Sequence, residues 1–138
     1  MLYQIWILTF LMVCAVTDLK EQKIFSVFCF ANSVIALIIH LLMKDILWTN
    51  ILFGMILGAA FYVISIFTKE AIGKGDAIVV FTLGCIIGIE QVIKVLILSF
   101  FSCSIFSVLG MITKKCRLKT RIPFVPFILL GELIVLLV

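Results

Sequence analysis

Asp18 and Asp76 are the residues of this chain whose type and placement most invite chemistry. A carboxyl can act as general acid or base, hold a proton or bind a cation. Two of them close together resist double ionisation and share one proton near neutral pH. Asp76 closes the segment Gly73-Lys74-Gly75-Asp76. Glycines on both sides of one residue remove Cβ atoms and let another backbone approach. The same segment also reads as a plain turn into a helix, whose positive end suits an aspartate. A phosphate loop would need a longer glycine pattern between a strand and a helix, which is missing. Rival machinery is sparse. His40 is the sole histidine, and Cys14, Cys29, Cys85, Cys103 and Cys116 stand singly without a C-x-x-C pair. Neither a Ser-His-Asp triad, a zinc site nor a disulfide framework is expected, and no metal or cofactor is called for.

The elements that must position these acids follow from composition. Of 138 residues, 65% are hydrophobic and 13% charged, with a mean hydropathy of +1.41. Too few polar side chains remain to cover a water-facing surface, so soluble classes are excluded. A net charge of +4, without a basic face interleaved with aromatics, excludes nucleic-acid binding. Apolar runs at 2–17, 24–43, 46–68, 77–89, 92–113 and 122–138 predict an all-α, polytopic membrane bundle of about six helices in a single domain, 1–138. The alternating ten-residue segments of a barrel are absent. Segment 2–17 lacks a basic start, and Asp18 and Lys20 stand where a leader's small cleavage residues would fall, so it is expected to be a permanent helix.

Charge sets the orientation. Lys20, Lys23, Lys69, Lys74, Lys114, Lys115, Arg117, Lys119 and Arg121 fall in the first, third and fifth connections, against Lys44 and Lys94 on the other side. Basic short loops stay cytoplasmic, so both termini are expected outside. Asp18 at the end of the first helix and Asp76 at the start of the fourth then share the cytoplasmic face. The fourth segment is only about 20 Å long at 1.5 Å per residue, which draws Asp76 toward the membrane boundary, where a carboxylate faces protein or water.

G-x-G-D at the cytoplasmic start of a membrane helix, with an earlier aspartate closing a preceding helix, resembles the type IV prepilin peptidases, which are G-x-G-D intramembrane aspartic proteases. Pro123-Phe124-Val125-Pro126 followed by Gly131 is similar to that family's late P-x-x-P-x-x-x-x-G motif, and Gly84 and Gly88 match its small-residue spacing. The resemblance covers nearly the whole chain. It is to the short form without the methyltransferase and zinc domain, so no methylation is expected. The chain departs from the pattern in two places. Ile24-Phe25-Ser26 stands where the family has Ile-Pro-Asn, and Ile78 replaces a lysine found in many bacterial members.

The resemblance implies a membrane aspartic endopeptidase with Asp18 and Asp76 as its dyad. It would remove short basic leaders from prepilin-like or pseudopilin-like membrane proteins at the cytoplasmic face of the inner membrane, serving pili, secretion or DNA uptake. Gly73, Lys74 and Gly75 would admit the substrate backbone, and Pro123 and Pro126 would hold the sixth helix entry. The alternatives are a small transporter using the two acids for protons or cations, and a pilin-binding pseudo-enzyme. Among the remaining residues, His40 is expected at the outer interface and Asn32 in an interhelical hydrogen bond. Glu132 is expected to snorkel outward or pair with Lys94. Gly54 and Gly58 are read as packing positions inside the bundle, and the 114–121 cluster as a topology signal that contacts anionic lipid, with reception of acidic groups near a substrate's cleavage site as the alternative.

Overall fold

In a computed structural model of the chain, residues 2–21, 25–43, 46–68, 73–113 and 123–138 are described. Lys23, Ile24, Lys44, Lys69 and the basic cluster at 114–121 lie outside them. Every regular element among the described residues is a helix: α1 (Leu2–Glu21), α2 (Ser26–Met43), α3 (Trp48–Phe67), α4 (Lys74–Ile112) and α5 (Val125–Leu137). Segments α2, α3 and α4 are long and apolar enough to cross a membrane, and α5 is a shorter apolar helix. The protein is an all-helical membrane protein.

The fourth and fifth expected spans form one element that is broken inside. Gly88 has φ 72° and ψ 174°, a region open essentially to glycine alone. It separates a first arm, 74–87, from a second, 89–112. A Cβ on Gly88 would also stand 3.4 Å from Asn50 Cβ, and Asn50 Nδ2 donates to Glu90 Oε1 at 3.2 Å. The expected boundary between 89 and 92 thus falls two residues earlier, where backbone freedom and the Asn50 tether coincide.

The chain divides into two compact units. One unit comprises Met1–Gln22 and Lys94–Val138, in which α1 packs on α5. Ile7, Phe10, Leu11 and Cys14 of α1, Val95 of α4, and Val125 and Ile128 of α5 are buried there. Gly131 lets α5 close on the second arm of α4, since a Cβ at that position would stand 2.5 Å from Ser99 Oγ and 2.6 Å from Val95 O. Aromatic pairs fix the start of α5, with Phe124 on Phe100 at 4.9 Å and Phe127 on Phe106 at 5.5 Å between ring centres.

Glu132 sits beside that crossing and is 2% exposed, with Oε2 lacking a hydrogen-bond partner among the described residues. The expectation that it snorkels outward or pairs with Lys94 is corrected. Lys94 is exposed, whereas Glu132 is buried beside the close approach of α5 to α4 at Gly131.

The second unit, Lys23–Ile93, contains α2, α3 and the first arm of α4. Gly54 and Gly58 pack as expected inside it. A Cβ on Gly54 would lie 2.7 Å from Gly84 O, and one on Gly58 would collide with the Phe81 backbone. Such small-residue crossings gain van der Waals contact where lipid supplies no hydrophobic drive. On the other side of the arm, Ser33 Oγ donates to Thr82 Oγ1 at 3.2 Å, and Thr82 donates to Cys29 O at 3.4 Å. Asn32 donates to Phe28 O within its own helix, and the neighbouring Ser33 makes an interhelical contact. His40 is 3% exposed, and its Nε2 donates to Ile86 O at 2.9 Å, which corrects its expected interfacial position. Ile86 lies in the turn before the Gly88 break, where helical carbonyls lose their in-line partners.

Candidate active site

Asp18 stands one residue past the apolar stretch 2–17, on the last turn of α1, and is 7% exposed. What meets it is the start of α5. The first N–H groups of a helix have no partner within it, and Pro126, the second residue of α5, has no N–H to give. The Val125 N–H turns to the Asp18 carboxylate and donates to it. Oδ2 of Asp18 has no hydrogen-bond partner among the described residues. Burial pushes the carboxyl above its ordinary value of 3.8, and the Val125 hydrogen bond opposes this without cancelling it. The Pro123–Pro126 segment and Asp18, 105 residues apart at their nearest in sequence, are therefore brought together. Phe124, next to the donor, packs at a tilt on Phe100.

Asp76 lies in the first turn of α4 and is partly buried. Gly73 immediately precedes the helix, and its carbonyl accepts from Ala77 N at 3.3 Å. A Cβ on Gly73 would stand 2.9 Å from Asp76 Oδ2. Gly73 thus clears space for the Asp76 carboxylate itself, a more local duty than the expected passage of a substrate backbone. Lys74 and Gly75 form the first turn with Asp76, and Lys74 is exposed. Among the described residues no group of His, Cys, Asp and Glu could hold a metal ion.

Asp18 belongs to one unit and Asp76 to the other. Sequence reasoning missed the Val125 N–H, a backbone group that no side-chain pattern announces, although Pro126 one residue on is a signal for it. It also missed the Ser33–Thr82 contact, whose only trace is a hydroxyl residue within each of two apolar runs.

One buried acid thus stands against a proline-bracketed helix start, and a second opens α4 in a G-x-G-D turn. The sequence model of the type IV leader peptidase family matches residues 5–108, a stretch that includes Asp18 and Asp76. The chain belongs to that family. No curated protein and no solved structure matches it. The match ends before Pro123, so the link between the proline segment and Asp18 rests on the fold.

Proposed function

We propose that the protein is an aspartic endopeptidase in which Asp18 and Asp76 form the catalytic dyad and share one proton. The observation that carries this reading is the state of Asp18: buried, with one hydrogen bond from Val125 N–H and with Oδ2 unpartnered among the described residues. Burial favours the protonated form at Asp18, leaving Asp76, at a helix N-terminus that stabilises negative charge, as the base. Asp76 takes a proton from water as the water oxygen attacks the scissile carbonyl carbon. Asp18 gives its proton to the carbonyl oxygen, and the dyad returns a proton to the leaving amine as the C–N bond breaks. The pair titrates as a unit.

By family, the substrates are membrane proteins with a short basic leader ahead of an apolar helix, of the prepilin or pseudopilin kind. Cutting would occur at the cytoplasmic face of the inner membrane, a reading for both acids that the positive-inside charge pattern supports. Gly73 keeps the Asp76 carboxylate in place, and Pro123 and Pro126 fix the entry of α5.

The test is incubation of membranes holding the protein with a prepilin-like substrate. Wild type should release the leader, and Asp18→Asn and Asp76→Asn should each lose a hundredfold or more in rate, about the range of general acid–base catalysis. Activity dependent on a proton gradient, with no proteolysis, would favour transport. Binding of such substrates without cleavage would mark a pseudo-enzyme.

A further inference from the structure

The first turn of α5 has one N–H to spare for Asp18. Pro126 carries none, and Phe127 N and Ile128 N both donate to Phe124 O, at 2.9 and 3.2 Å. The Val125 N–H is left over, and the Asp18 carboxyl accepts it. Because Oδ2 of Asp18 has no hydrogen-bond partner among the described residues, the accepting atom is Oδ1. A protonated carboxyl keeps one O–H to donate, and that proton then belongs on Oδ2.

The donor is part of the planar peptide between Phe124 and Val125. The carbonyl of that peptide is tied into α5 by the two bonds of the first turn. Its N–H reaches α1 only if the first turn of α5 stands at the right place. Phe124, on one side of the peptide, lays its ring on Phe100 with 4.9 Å between centres and 33° between planes, inside the range that aromatic pairs favour. Val125, on the other side, is fully buried and is the competing anchor. The second arm of α4 therefore reaches the donor peptide through one ring.

A matched contact lies next to it. Phe106 packs on Phe127 at 5.5 Å and 56°, yet Phe127 does not belong to the donor peptide and spends its own N–H within α5. Phe100 and Phe106 are about equally exposed, 49% and 53%, so removing either ring opens a similar gap.

We propose that Phe100 is a positioning residue for the reaction: its ring holds Phe124, and with it the peptide whose N–H fixes Oδ1 of Asp18 and leaves Oδ2 to carry the proton. The inference deepens the dyad reading and rests on it. The charged and titratable groups around Asp18 stay in place when the ring is changed. They are Cys14, Lys20 and Glu21 on α1, Glu132 on α5, and Lys94 and Cys103 on the second arm of α4.

The test uses the purified full chain and two readouts. One is the pH profile of cleavage of a prepilin-like substrate. The other is the titration of the Asp18 carboxyl band, read by infrared difference against Asp18→Asn. Phe100→Ala should lower kcat about tenfold, the scale of a misplaced catalytic group, with KM unchanged. A hydrogen bond to a carboxylate favours its charged form, so losing it should move the Asp18 titration and the alkaline limb of the profile to higher pH. Phe124→Ala should act alike, and the two together should do no more than either alone. Phe100→Tyr, which keeps the ring, should behave as wild type. Phe106→Ala should lower the melting temperature as much as Phe100→Ala and leave both readouts unmoved. An Asp18 titration unchanged in Phe100→Ala would give the donor to the buried Val125 side chain and overturn the proposal. An equal shift in Phe106→Ala would overturn it too, by making the effect one of general packing. If wild type cuts nothing, the dyad reading falls, and the infrared titration still decides whether Phe100 holds the donor.

Discussion

At the scale of single residues, Asp18 and Gly73 carry the sharpest consequences. Asp18 has its carboxyl raised by burial, so the fold favours the protonated form. Its contribution to stability is fully present below its ordinary value and is lost as pH rises through the raised one. Asp18→Asn keeps the shape and removes the titration. Its melting temperature should match wild type in acid and exceed it at neutral pH, measured by thermal unfolding in detergent at a series of pH values. An unchanged gap across pH would contradict the buried placement. Gly73→Ala puts a methyl 2.9 Å from Asp76 Oδ2, and displacing that carboxylate should cut kcat about tenfold or more with little change in melting temperature. Both aspartates and Gly73 stood out from type and spacing as candidates, and the fold buries Asp18 and sets Gly73 against Asp76. The Val125 N–H was not, because it becomes a donor toward Asp18 only once α1 and α5 pack. His40 and Glu132 misled for a related reason: a polar side chain in an apolar run reads as bound for water until a close helix crossing covers it.

At the scale of elements, glycines decide where helices meet and where they stop. Gly54 and Gly84 bring α3 and α4 into backbone contact. Gly84→Val should overpack that crossing and cost about 1–3 kcal/mol, seen as a lower unfolding midpoint of the purified protein. Gly88→Ala forces an L side chain into a conformation that only glycine adopts readily, at about 1–3 kcal/mol, and presses it toward Asn50 as well. The helices themselves were legible because long apolar runs between charges leave few other solutions, so that 24–43 and 46–68 lie close to the observed α2 and α3. Where the fourth segment ends was less so. The polar pair Glu90-Gln91 marks the region in the sequence, but the break itself is a dihedral event two residues earlier, at Gly88.

At the scale of the whole molecule, the family match over residues 5–108 and the apolar helices define a membrane peptidase, and the charge pattern supplies its expected orientation. Cys116 lies among Lys114, Lys115, Arg117 and Lys119. A thiol reagent that cannot cross membranes should label it in inverted vesicles and not in intact cells, and the reverse would turn the topology over. The central claim is that Asp18 and Asp76, far apart in sequence, act as one catalytic unit. The most direct test compares cleavage of a prepilin-like substrate by Asp18→Asn, Asp76→Asn and the double variant. Residues that work as a unit are grossly non-additive, so the double variant should be no slower than the slower single. Losses that multiply, or a single variant that cuts at the wild-type rate, would contradict the dyad.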